Sequence, residues 1–133
     1  MPAALREVLD DLALFPDRAD RIEALIDIGS DYQNFSAEQV PRDERLRVPG
    51  CESEVFFLAI DRPGGGKEYR FAVDNPQGIS AMALAAILQR ASGSSREDIA
   101  AIPEDLVYRI FGNELSMGKS LGLNNMLRVL KLA

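Results

Sequence analysis

One cysteine, Cys51, and no histidine among 133 residues leave this chain without a disulfide or a structural zinc site, so its fold is expected to rest on an apolar core. An intramolecular disulfide needs a second thiol, and a structural zinc site needs four thiolates or imidazoles at short spacing. A chain of this length buries about two-thirds of the surface its unfolded form exposes, which is enough for a core without staples. The composition is that of an ordinary globular protein, 47% hydrophobic and 27% charged, and the length suits a single domain over residues 1–133.

The same absences restrict the chemistry. A Ser/His/Asp triad, a Cys/His dyad and a His-activated acyl transferase each need an imidazole that takes and returns a proton near neutral pH. Carboxylates are plentiful, 21 Asp and Glu, yet no acidic loop has the spacing of a calcium-binding hand. The charge is uneven: residues 1–66 carry 7 Lys/Arg against 14 Asp/Glu, a balance of −7, and residues 67–133 carry 8 against 7, a balance of +1. Nucleic acid is not expected as a partner, because binding it means neutralising phosphates with clustered Lys and Arg. The acidic half reads either as a solubilising surface or as a face for a basic protein. The first fifteen residues carry Glu7, Asp10 and Asp11 instead of a basic start and an apolar block, so no signal peptide is expected. A lone thiol fits a reducing compartment, and the expected location is the cytoplasm.

Leu5, Val8, Leu9 and Leu12 recur at helical spacing and predict a first helix closed by Pro16. Asp17 is placed to cap a second helix with apolar positions Ile22, Leu25 and Ile26, and Gly29 is placed to end it. From Ser30 to Arg47 no period holds, which predicts an ordered loop crossing the domain. Val55 to Ile60 is apolar on both faces, and Tyr69, Phe71 and Val73 alternate with Arg70, Ala72 and Asp74. With Asp61 to Lys67 as turn chemistry between them, two antiparallel strands follow, and Leu46 with Val48 is placed to add a short third. Asp74-Asn75-Pro76 ends the sheet. Ala81 to Leu88 is then apolar without a break, but eight residues cannot span a membrane, which needs about 20, so this helix is expected at the centre of the core. Shorter helices are predicted from Ser94 or Ser95 through Ile99 and over Glu104 to Phe111, with a last helix presenting Leu123, Met126, Leu127 and Leu130. The grouping predicts a small α+β domain in which helices cover an antiparallel sheet of two to three strands.

Gly64-Gly65-Gly66-Lys67 has the glycines of a phosphate-binding loop but neither its spacing nor a following helix, so it reads as a hairpin turn. Cys51 is the remaining chemical feature. A free cysteine can be a small core filler, but this one follows the Pro49-Gly50 bend and precedes the polar Glu52 and Ser53, the setting of a presented thiol. Glu52 and Glu54 would raise its pKa if they lie close, and Arg45 and Arg47 would lower it. An unperturbed value is about 8.5, so the thiolate is the minor form at neutral pH.

Val48-Pro49-Gly50-Cys51-Glu52-Ser53-Glu54-Val55 resembles the Gly-Cys-x-Ser-x-Val signature of the SufE sulfur-acceptor family, with Cys51 on the acceptor position. The likeness extends along the chain. Ile22 to Gly29 resembles the family's early helix ending in Leu-Gly, Val73-Asp74 with Ile79 and the Ala-rich helix resembles its post-sheet segment, and Leu115 to Leu123 resembles its Leu-Ser/Thr-Pro-Ser-Arg-x-x-Gly-Leu stretch. Departures are Glu52 and Glu54, where the family commonly has glutamine, and Met117-Gly118-Lys119 for Pro-Ser-Arg. Lys119 keeps the charge without the planar fork of arginine.

The resemblance implies a SufE/NifU-like fold and a chain that takes sulfane sulfur from a SufS-type cysteine desulfurase onto Cys51, stimulates that enzyme and relays sulfur to a downstream cluster scaffold. The pyridoxal phosphate belongs to the desulfurase; this chain would need no cofactor or metal and would be a carrier and activator instead of a stand-alone enzyme. Gly50, Glu52 and Ser53 are the expected binding positions around the thiol. Asp74 and Lys119 are candidates for partner contact, with turn chemistry and a solvated helix start as their plain alternatives. The family shelters its cysteine in an apolar recess, which Phe56, Phe57 or Leu58 are placed to line. Two other readings stand beside this one: a single-cysteine thiol redox protein, and a noncatalytic acidic adaptor with a structural Cys51. The oligomeric state is open, a homodimer being one option.

Overall fold

The computed structural model describes residues 1–75 and 78–133, so Pro76, expected at the end of the sheet, lies outside the described residues. Among the described residues, six α-helices and one two-stranded antiparallel sheet make a mixed α+β fold. Helix α1 (Ala3–Ala13) buries Leu5, Val8 and Leu12, and α2 (Arg18–Asp31) starts at Asp17, whose carboxylate accepts the Ala19 amide at 3.0 Å. Strands β1 (Val55–Asp61) and β2 (Lys67–Val73) pair from Val55 opposite Val73 to Asp61 opposite Lys67. Gly65 and Gly66, both at positive φ, turn the chain between them. Then come α3 (Ile79–Gln89), α4 (Arg96–Ala100), α5 (Leu106–Phe111) and α6 (Met117–Leu132).

A helix apolar on all sides must be buried on all sides. Helix α3 meets that requirement by packing between α2 and β2, with Ala83, Leu84, Ala85, Ile87 and Leu88 fully buried. Its small residues let α2 approach closely, and this changes the role of Gly29. The glycine does not end α2, which continues to Asp31; it is buried where a Cβ would lie 2.9 Å from the Ile79 carbonyl oxygen. Close approach to a second helix, not chain termination, is what this glycine supplies. The turn of α2 toward α3 also buries Leu25 and leaves Ile22 and Ile26 exposed, so the expected apolar stripe is shifted toward Gly29.

Both sheet faces are covered, which is why β1 reads as a continuous apolar run. Phe57, Tyr69, Phe71 and Val73 join the helical core, whereas Phe56, Leu58 and Ala72 pack with Val40, Phe35 and Leu46 from the crossing loop. Two guanidiniums hold the loop, and Arg70 donates to its Gln39 carbonyl at 3.0 Å. Arg42 donates to the carbonyls of Phe35, Ser36 and Val40 and pairs in fork geometry with Asp74 at 2.7 and 2.8 Å. A third strand does not form: Glu44–Leu46 is a single 3₁₀ turn, and only an isolated bridge joins Arg47 to Phe56. The outer edge of β2 needs none. Its Tyr69, Phe71 and Val73 amides donate to Ser92 Oγ, Gln89 Oε1 and Asn34 Oδ1 at 3.0, 2.8 and 2.9 Å, and the Tyr32 hydroxyl donates to the Phe71 carbonyl. An edge satisfied by side chains no longer templates another strand.

Candidate functional site

The Cys51 loop springs from the open edge of β1. Its base is closed by the Val48 amide donating to the Val55 carbonyl at 2.8 Å, with Val48 itself buried in the core. Gly50, at φ +76°, makes the bend, a left-handed conformation that a side chain would strain. From there the loop lies against one stripe of α6, where Gly118, Leu121, Gly122 and Asn125 recur at i, i+3, i+4 and i+7. A Cβ on Gly122 would meet Cys51 Cα at 2.8 Å, the Gly50 carbonyl oxygen at 3.0 Å and the Cys51 sulfur at 3.2 Å. The Asn125 amide donates to the Pro49 carbonyl at 2.8 Å. Gly118 leaves room for Glu52, whose Oε1 would lie 2.7 Å from a Cβ there. That carboxylate therefore rests over the first turn of α6, the end of a helix that favours negative charge, and Ser116 caps the same turn by accepting the Lys119 amide at 3.2 Å.

Cys51 is half-buried, and its thiol donates to the Gly122 carbonyl at 3.4 Å. Burial pushes the thiol up to about 11, with Arg47 pulling weakly the other way. Desolvation, not the neighbouring glutamates, is thus the dominant cause of its low acidity. The carbonyl partner acts in the same direction, since it accepts a proton that a thiolate no longer has.

The sulfur opens onto a cavity of about 440 Å³ whose lining includes Glu52, Ser53, Asn75, Ile79, Ser80, Lys119, Gly122 and Leu123. Ser53 Oγ accepts from Asn75 at 3.3 Å and is close to Gly78. The recess is built by the starts of α3 and α6. Phe56, Phe57 and Leu58 do not line it, because Phe57 stacks with Tyr69 and Phe71 in the helical core while Phe56 and Leu58 pack under the crossing loop.

Of the residues expected at the site, Gly50, Cys51, Glu52, Ser53 and Lys119 are brought together. Asp74 is near in the chain fold, its amide donating to the Glu54 carbonyl at 2.9 Å, but its carboxylate is engaged by Arg42 and Asn34, and the Arg42 guanidinium holds it below the usual carboxylate range. Asn125 was not anticipated. An asparagine on a helix face has no local signal for the loop it holds, although its place one turn beyond Gly122 puts both on one stripe. A wider depression of about 550 Å³ lies at Arg6, Arg21 and Arg109, and no thiol lines it. Among the described residues, no three His, Cys, Asp or Glu side chains come together as a metal site, and no helix is long and apolar enough to cross a membrane.

No curated protein sequence matches the chain. Among solved structures, the solution structure of a hypothetical protein from Thermus thermophilus is similar at a TM-score of 0.72 and 20% identity, with 99% of this chain and 93% of that one covered, a likeness of fold. The model of the SufE family, the Fe-S metabolism associated domain, matches residues 6–133, and over that span this chain belongs to the SufE family.

Proposed function

We propose that this protein is a sulfur acceptor in Fe-S metabolism that takes sulfane sulfur from a SufS-type cysteine desulfurase onto Cys51, stimulates that enzyme and passes the sulfur to a cluster scaffold. The observation that carries the reading is a half-buried, weakly acidic thiol at a glycine bend, opening onto a cavity in a chain of the SufE family. In the transfer step the Cys51 sulfur attacks the outer sulfur of the donor persulfide. A new S–S bond forms to Cys51, the donor's S–S bond breaks, and its inner sulfur leaves with the electron pair. The proton lost from the Cys51 thiol balances the one the donor thiolate regains, so the exchange needs no oxidant. Glu52, Ser53 and Lys119 line the cavity that the incoming group would enter, and Arg47 and Lys119 are the cations on this side of the forming persulfide anion. The reaction belongs to the cytoplasm, where thiols stay reduced.

With a pKa of about 11, the thiolate at pH 7 is on the order of one molecule in ten thousand. Such a thiol is quiet until a partner relocates it. Iodoacetamide labelling of the free protein is expected to be slow at pH 7 and to rise about tenfold per pH unit without levelling near 8.5, the unperturbed value. Adding a desulfurase should accelerate labelling at pH 7. Equal rates with and without the enzyme would contradict partner-driven activation.

A further inference from the structure

We propose that Asn125 is the latch that keeps the Cys51 loop retracted against α6. On the α6 side the tip of the loop is held by two polar contacts, Asn125 Nδ2 to the Pro49 carbonyl at 2.8 Å and the Cys51 thiol to the Gly122 carbonyl at 3.4 Å. These differ in kind. The second is a weak S–H bond and disappears once the sulfur is a thiolate or a persulfide anion, which has no proton to donate. The first does not depend on the state of the sulfur. It is also located at the hinge: Pro49 precedes Gly50, the one residue of the loop at positive φ, and the Asn125 amide nitrogen would be 2.9 Å from a Cβ at Gly50. Holding the carbonyl on one side of that bend fixes the direction in which Cys51 leaves it. The base of the loop is anchored separately, by the Val48 to Val55 bond and by Ser53 with Asn75, so releasing Asn125 frees the tip and leaves the strands paired.

Asn125 is therefore a positioning residue, acting on the sulfur through the Pro49 carbonyl. That a donor enzyme has to break this bond to reach Cys51 rests on the sulfur-acceptor reading; the latch itself does not.

The test uses the free protein and iodoacetamide, with no desulfurase present. Asn125→Ala should label about fivefold faster at pH 7, the factor by which one net hydrogen bond shifts an opening equilibrium. Asn125→Leu keeps the approximate size with neither an amide donor nor a charge, so it should label as fast as the alanine variant. Asn124→Ala, at the exposed neighbouring position, should label like the parent protein. In the released variants the pH midpoint of labelling should also fall below about 11, since a freed thiol is rehydrated, with Arg47, Glu52 and Lys119 as the charged groups around it. The acceleration should persist unchanged in low urea, because a local opening exposes little surface. An unaltered rate in Asn125→Ala, slow labelling in Asn125→Leu, or an acceleration that grows with urea would each overturn the latch. Sulfur transfer is scored in a separate assay with the desulfurase, so its failure leaves these labelling outcomes standing.

Discussion

Cys51→Ser is expected to reduce desulfurase stimulation to the level of the desulfurase alone while the protein stays folded. The hydroxyl can replace the thiol as a donor to the Gly122 carbonyl, and the site is only half-buried, so stability should change by about 1 kcal/mol or less. What is lost is the nucleophile: an unactivated hydroxyl does not displace a thiolate from a persulfide. Complex formation should survive, because the surfaces around the loop are untouched. The variant also separates the competing readings. An acidic adaptor with a structural cysteine would still stimulate its partner after the substitution. A thiol redox protein would consume peroxide before it, although a thiol raised to about 11 is poorly suited to that chemistry, which favours low-pKa exposed cysteines. Stimulation measured at matched concentrations with the parent protein, Cys51→Ser and no addition distinguishes all three.

The second large effect concerns Gly122. Alanine there places a methyl group at 2.8 Å from Cys51 Cα and 3.2 Å from its sulfur, and the first of these distances is backbone that cannot rotate away. Overpacking of this kind costs about 1–3 kcal/mol. Within the helix, the same change gains about 1 kcal/mol over glycine. The two terms act on different parts of the molecule, so the global melting temperature should move little while the loop is driven off α6. We expect iodoacetamide labelling of Cys51 in Gly122→Ala to rise about tenfold to a hundredfold at pH 7, more than on removal of Asn125. A rate equal to that of the parent protein would mean that the loop does not rest on α6 as described.

This glycine shows what kind of information the sequence carried. Gly122-Leu123 was readable as part of a motif, but its physical reason, space for a backbone from 71 residues earlier in the chain, is visible only in three dimensions. Elements with their own periodicity were legible in full: α1 from Leu5, Val8 and Leu12, α3 from its unbroken apolar run, and the hairpin from a glycine-rich turn between two apolar strands. Misreadings fell where a residue answers to a distant neighbour. Gly29 had the position of a helix terminator and acts as a contact between helices. Leu46 and Val48 had the alternation of a strand beside β1, but Glu44–Leu46 forms a 3₁₀ turn and the crossing loop is held to the domain by Arg42. Bonds from side chain to backbone across tens of residues leave no local pattern. For the site, residue types identified Cys51 and its immediate neighbours. Phe56, Phe57 and Leu58 do not wall the recess, because strand residues adjacent in sequence point to opposite faces of the sheet.

Electrostatics was the other quantity that sequence proximity misjudged. Glutamates 52 and 54 flank Cys51 in the chain, yet the thiol is raised chiefly by burial, and the Glu52 carboxylate is drawn to the start of α6. The rise of the thiol above its ordinary value is a consequence of the loop's resting place. Moving the loop is therefore sufficient to change the acidity of its sulfur, with no histidine or lysine required to activate it.

The central claim is that Cys51 carries transferable sulfur, and intact-protein mass spectrometry after incubation with a SufS-type desulfurase and cysteine tests it most directly. The account predicts one added sulfur atom, localised to Cys51, removed by a reducing thiol and absent from Cys51→Ser. A parent protein that gains no sulfur while the desulfurase turns over beside it would contradict the account.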